Sequence, residues 1–400
     1  MTSKHQDSTQ ERRASVFGVF IAFLRMGLVS FGGPIAHIGY FRDEFVVRRR
    51  WLGEKAYADL IALCQFLPGP ASSQVGIALG LSQSGIAGGI AAWVGFTLPS
   101  AILLALFAAG LQTFGGLDAD WLHGLKVVTV AVVAYAVWTM GKQLCPDRPR
   151  ATLAVLAAIG VLALPGVSGQ VAVIVLGAFV GAIWLDANAG DSNARVDFGV
   201  TRSAGVVALV LFFLLLILLP GFATGTGLLQ VELFDSFFRS GALVFGGGHV
   251  VLPLLQAEVV PPGWVDNDQF LAGYGAAQAI PGPLFSFAAY LGTIIDGWRG
   301  AVLCLVAIFL PGFLLVIGVL PFWSRLSAST YARSTLAGVN AAVVGLLLAA
   351  LYDPVITSAI RSTADAALAL GAFALLAFWK ISPVIVVVAT AVASALLRFV

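Results

Sequence analysis

Two arginines sit in apolar surroundings, each six residues ahead of a glycine cluster. Arg25 precedes Phe31-Gly32-Gly33-Pro34, and Arg239 precedes Phe245-Gly246-Gly247-Gly248. The arginines are 239 − 25 = 214 residues apart, and so are the clusters, 245 − 31 = 214. A guanidinium is a planar fork of donors that grips a planar or tetrahedral oxyanion through paired hydrogen bonds. Near mid-bilayer an arginine costs at least ~2.5–3.5 kcal/mol, so it faces a cavity or a partner. The chemistry offered by such a pair is oxyanion binding. The alternative is a structural one, in which each arginine tethers carbonyls freed at a broken helix or pairs with Glu44 or Glu258.

A second motif accompanies the first. Pro68-Gly69-Pro70 returns as Pro281-Gly282-Pro283, with 281 − 68 = 213. Glycine permits the turn, and proline starts the next helix without needing its missing N–H bonded. Pro34, Pro68, Pro70, Pro281 and Pro283 are therefore expected to shape four tips. Gly32, Gly33, Gly69, Gly246, Gly247, Gly248 and Gly282 would bring backbone close to a ligand. A helix starts after each tip, with unpaired N–H groups and about half a positive charge, so four together would roughly match a dianion. Close helix packing is the other use of such glycines.

Neutral donors cluster at the same places. Ser30 adjoins the first tip, Gln65 and Gln278 precede the Pro-Gly-Pro tips by three residues, and Ser73 and Ser286 follow them by three. They would either complete the hydrogen bonding of an anion or cap the half-helices. Glu44 and Glu258 also match at 258 − 44 = 214, as proton carriers or as interfacial charges. His37 and His249 miss that register, since 249 − 37 = 212, so a shared role is not expected. Lys126, opposite Asn340, is expected to snorkel.

These residues need a membrane to position them. The chain is 59% hydrophobic and 10% charged, more apolar surface than a soluble fold can hide. Its punctuation is helical, so the expected class is an all-α polytopic membrane protein. Two homologous halves should form an inverted-topology repeat whose helical hairpins re-enter at Gly/Pro breaks. Apolar stretches lie near 16–31, 34–47, 54–67, 71–82, 86–111, 121–141, 151–164 and 170–185, and recur from 233 to 398. One extra stretch, 203–221, separates the sets. The organisation expected is a cytoplasmic tail at 1–15, a first repeat at 16–186, a linker at 187–232 and a second repeat at 233–400. Arg42, Arg48, Arg49, Arg50 and Lys55 crowd one loop, whereas its counterpart at 256–269 has no lysine or arginine. The positive-inside rule puts the first loop and the N-terminus in the cytoplasm, and the second loop and the C-terminus outside.

Other chemistries find little support. No Gly-x-x-x-x-Gly-Lys-Ser/Thr loop and no His-Glu-x-x-His helix occurs. Gly166-Val167-Ser168-Gly169 matches a serine-protease fragment, but no histidine lies between His123 and His249. Three scattered cysteines suggest neither disulfides nor a metal site. No enzyme activity, cofactor, metal or nucleic-acid partner is expected. The partners expected are a lipid bilayer and an anion, and a homodimer is compatible with the pattern.

Together these motifs resemble the chromate ion transporters in their long, two-domain bacterial form. The resemblance rests on Ser30–Pro34, Arg49-Arg50-Trp51-Leu52 and Ala62–Pro70, then Phe245–Gly248, Pro253, Glu258, Gly263-Trp264 and Gln278–Pro283. Where it leads one to expect threonine, Val29 loses the hydroxyl and Ser286 keeps one. It implies an inner-membrane secondary transporter that exports chromate under the proton motive force and confers chromate resistance. Sulfate is the natural competitor. Movement of sulfate or another oxyanion by a carrier or exchanger, or a passive anion channel, are the alternatives.

Overall fold

The computed structural model describes residues 13–114, 120–185 and 198–397; most of the tail and the start of the linker lie outside them. Among the described residues there are helices and no strands. Six helical stretches are long and apolar enough to cross a membrane, and the chain is a multi-pass membrane protein.

The first half comprises α1 (Val16–Val29), α2 (Gly33–Phe41), α3 (Glu54–Phe66), α4 (Ala71–Phe114), α5 (Asp120–Leu144), α6 (Arg148–Ala163) and α7 (Val167–Trp184). The extra helix is α8 (Arg202–Thr226). The second half begins with α9 (Leu229–Leu243), α10 (Val251–Val259), α11 (Asn267–Ala277) and α12 (Phe287–Val319). It continues through the short α13 (Trp323–Ser327), α14 (Thr330–Ala350), α15 (Thr357–Ala359), α16 (Thr363–Ala377) and α17 (Pro383–Leu397). Side chains mark several starts. The Ser15 hydroxyl accepts from the Gly18 N–H, Asp147 caps α6, and capping boxes open α11 at Asp266 and α16 at Ser362.

Both α4 and α12 fold back on themselves. The break in α4 is at Ser84 (φ −140°, ψ 27°) and Gly85 (φ 60°, ψ −151°). In α12 it is at Asp296 (φ −141°, ψ 33°) and Gly297 (φ 58°, ψ −146°), 212 residues later. Gly80 then lies against Gly88, and Gly292 against Gly300, so closely that a Cβ on any of them would meet its partner's backbone. Residues eight apart in a straight helix are about 12 Å apart, so these contacts require a hairpin. The glycines are what let its two arms touch. The segmentation expected at 71–82 and 86–111 coincides with these arms.

The halves are interlocked rather than merely apposed. The α6–α7 pair of the first half packs on α14 of the second, and α16–α17 of the second packs on α5 of the first. Gly177 and Gly181 meet Gly338, and Gly124 meets Ala391, so backbones come close at both seams. Polar ties cross the second seam. His123 Nε2 lies 2.9 Å from Asp365 and Lys126 Nζ 2.8 Å from Asp268; within the second half, Arg361 lies 3.1 Å from the same Asp268. Lys126 therefore does not snorkel; it is buried and paired, because α11 brings Asp268 within reach. α8 packs on α9 and α12 and turns the rest of its surface, including Val207, Ile217 and Phe222, outward where lipid lies.

Two outcomes test this packing. Gly80→Ala should cost about 1–3 kcal/mol in detergent melting, as overpacking does, whereas Gly110→Ala, with nothing within 4 Å, should not destabilise. Asp268→Ala should lower the melting temperature more than Arg361→Ala does, because it strands the buried Lys126 ammonium. Lys126→Met combined with Asp268→Ala should recover part of that loss. Equal effects from Asp268→Ala and Arg361→Ala would mean that the Lys126 pairing adds nothing.

Candidate functional site

Each half breaks its backbone twice, and each break needs hydrogen-bond partners that lipid cannot give. They are exchanged between halves. The Gly69 N–H of the first Pro-Gly-Pro tip donates to the Val244 carbonyl, where α9 ends, at 2.6 Å. The Gly282 N–H of the second donates to the Ser30 carbonyl, where α1 ends, at 2.9 Å. The two bonds are equivalent, since 244 − 30 = 214 and 282 − 69 = 213. They mark a pseudo-twofold axis through the middle of the molecule. Gly69 and Gly282 adopt φ +121° and +104°, a region that favours glycine. Added Cβ atoms would come within 2.8 Å of Gln74 Nε2 and Ser100 Oγ respectively.

The Gly-Gly tips occupy the space between. A Cβ on Gly248 would touch the Pro34 ring at 3.6 Å, so the first tips of the two halves face one another. They differ in cover. Gly246 and Gly247 pack beneath Met140, with Leu144 and Asn340 beside Gly246, whereas Gly32 is exposed and Gly33 has nothing within 4 Å. The starts of α2, of the 3-10 turn Gly248–Val250 and of the 3-10 turn Leu284–Ser286 have no side-chain cap. No side chain therefore competes for the N–H groups at these starts, although the Val250 and Ser286 N–H groups bond the Gly247 and Pro283 carbonyls.

The sequence-selected side chains divide into groups. Ser30 and Ser73 are buried, and neither hydroxyl has a partner; the Gln278 Nε2 is likewise buried without one. Ser286 Oγ instead donates to the Pro283 carbonyl at 2.6 Å, as a local cap. Gln65 is exposed at the end of α3.

The arginines, alike in sequence, have opposite surroundings. Arg25 shares the exposed stripe of α1 with Ile21 and Leu28, and has no ion pair or hydrogen bond among the described residues. Arg239 is held by two carboxylates. Its Nε donates to Asp235 Oδ2 at 3.0 Å, and its Nη2 lies 2.9 Å from the same oxygen and 3.1 Å from Glu258 Oε2. Glu44 does not reach Arg25, because it is engaged by Arg48 and, at 2.6 Å, by Arg49. His37 contacts Ser72 at 3.3 Å and His249 contacts Tyr274 at 2.9 Å, two unrelated environments.

The family model for chromate transporters matches residues 17–182 and 231–395. The chain belongs to the chromate transporter family. It is 32% identical over 370 residues to the chromate transport protein of Pseudomonas aeruginosa, covering 88% of this chain and 84% of that one. It is 27% identical to the probable chromate transport protein of Synechococcus elongatus, covering 92% of each chain. With the chromate transport protein of Cupriavidus metallidurans it shares 27% identity, over 92% of this chain and 90% of that one. No solved structure matches the chain. Each family-matched stretch carries one Gly-Gly tip and one Pro-Gly-Pro tip, and α8 lies wholly between the two stretches.

Sequence reasoning missed several residues of this family member's centre. Gln74 Nε2 donates to the Pro68 carbonyl at 2.7 Å and so stabilises the first tip from behind. Its signal was the polar run Ser72-Ser73-Gln74 directly after the proline. Asn340, whose Oδ1 is buried without a partner, stands beside Gly246. Asp235 was visible in principle, four residues before Arg239 and hence on the same helix face. Gly69→Ala and Gly282→Ala are each expected to cost about 1–2 kcal/mol from the left-handed backbone alone. Both should also reduce transport, measured beside melting temperature in the same membranes. Wild-type behaviour in both variants would show the tips to be replaceable.

Proposed function

We propose that this chain is a secondary transporter that carries chromate out of the cytoplasm. In this reading it works at the proton motive force's expense, resides in the bacterial inner membrane and confers chromate resistance. One observation carries the anion: uncapped helix starts converge at the tips among buried polar side chains without partners, with Ser30, Ser73 and Gln278 foremost. Such a group satisfies an oxyanion by hydrogen bonds, in place of its lost hydration. Chromate, rather than another anion, comes from what the relatives' names state. Sulfate is a tetrahedral dianion of similar size, so it is the competitor to expect.

Arg25 supplies the mobile positive charge. Among the described residues it pairs with no carboxylate, and it lies on the half whose tip is open. The two repeats, 16–186 and 233–400, are proposed to exchange roles about the axis, exposing the centre first to one side and then to the other. Arg42, Arg48, Arg49 and Arg50 put the first loop in the cytoplasm by the positive-inside rule, and with it the N-terminus; the C-terminus is then periplasmic.

The experiment is chromate accumulation in everted membrane vesicles energised by respiration, with and without a protonophore and with excess sulfate. Accumulation should collapse with the protonophore and fall with sulfate. Passive entry indifferent to the protonophore would favour a channel, and no uptake above vector-only vesicles would remove chromate as the substrate. In the same assay Arg25→Ala should lower uptake roughly tenfold or more, the loss expected for a charge-assisted hydrogen bond. Membrane levels of the protein, measured in parallel, should be unchanged.

A further inference from the structure

The two matched arginines have been given different work. Arg239 is fixed between Asp235, with a relative exposure of 4%, and Glu258, with 8%. Two carboxylates and one guanidinium carry a surplus negative charge. Where the two carboxylates are buried, that surplus is relieved by taking up one proton. A second observation points the same way. Asp235 Oδ1 is buried and has no hydrogen-bond partner, an unfavourable state for an ionised carboxylate oxygen. The site that corresponds to Asp235 in the first half is Ile21 (235 − 214 = 21), and Glu44 there faces the loop arginines. Hence only the second half has the surplus.

We propose that Asp235, Arg239 and Glu258 form the site that binds and releases the transported proton, while the unpaired Arg25 half serves the anion. This rests on the carrier reading above and names its coupling site. The surrounding charges are few. Ser236 hydrogen-bonds Glu258 from α9, and Glu232 lies one turn before Asp235. Of the helices packed on α9, α8 and α12 carry charge only at Arg202, Asp296 and Arg299; the elements packed on α10, which bears Glu258, carry Asp268, Arg333 and His249, and Arg239 is the cation paired with both carboxylates. The route from proton to tip is short. α9 carries Asp235 and Arg239 and ends at Val244, whose carbonyl accepts the Gly69 N–H of the opposite half, while Glu258 holds it from α10. A change in how α9 is held at Glu258 therefore acts on the hydrogen bond that fixes the first Pro-Gly-Pro tip.

The test uses the full chain in proteoliposomes, with Asp235→Asn, Glu258→Gln and the double variant. The expected result is loss of chromate accumulation driven by an imposed pH gradient, at least tenfold, with chromate–chromate exchange kept within about threefold. Gradient-driven accumulation at the wild-type level in the double variant would overturn the proposal while leaving the chromate reading intact. Exchange lost together with accumulation would also overturn it, since the triad would then serve the anion step or the fold. A readout independent of chromate is the infrared carboxyl band of a protonated buried acid at neutral pH. It should be present in the wild type and absent from at least one single variant; no such band, or a band surviving in the double variant, overturns the proposal even if chromate proves to be the wrong ion.

Discussion

Everything in this molecule depends on how backbone groups are satisfied where helices stop inside a bilayer. A broken helix leaves several N–H and C=O groups without partners, and hydrocarbon offers none. Here the carbonyls of Ser30 and Val244 are answered by Gly282 and Gly69 of the opposite half. Each half closes part of its own breaks, through Gln74 on Pro68 and Ser286 on Pro283, and takes one further bond from the other half. The centre of the molecule is thus a shared structure, and the polar atoms around it remain together because the exchange holds α1, α9 and both Pro-Gly-Pro turns in place.

From this exchange follows the use of small residues. The arms of α4 and α12 fold back with Gly80 against Gly88 and Gly292 against Gly300. α1 lies on α4 through Gly27 and Gly95, and α9 lies on α12 through Gly241. Backbone proximity replaces the hydrophobic drive that lipid removes. Apolar bulk is turned outward instead, on α8 and on the outer faces of α6 and α7.

Much of this was readable in the residues themselves. The Gly and Pro motifs and their offsets of 214 and 213 announced two halves, because turns inside a membrane admit few other residue types. The arms 71–82 and 86–111 separated cleanly at Ser84-Gly85. What could not be read was which half each tip would serve, since hydrogen bonds between distant backbone segments leave no mark on side-chain pattern. The glutamines show the same limit. Gln65 and Gln74 flank the tip almost equally, yet only Gln74 reaches Pro68, since helix phase relative to a turn is fixed by packing. Arg25 and Arg239 look equivalent until Ile21 and Asp235 are compared. That comparison needs the helix face rather than the motif.

The crossed packing of α6–α7 on α14 and of α16–α17 on α5 has a consequence for how the chain is made. The first half leaves the ribosome with α5 lacking its cover, and that cover is formed by residues 363–397, which follow it in the chain by the length of a whole repeat. Its α6–α7 pair likewise waits for residues 330–350. Insertion can proceed helix by helix, but completion of either half must be a late and simultaneous event. Loss of the final two helices would therefore injure the beginning of the protein as much as its end.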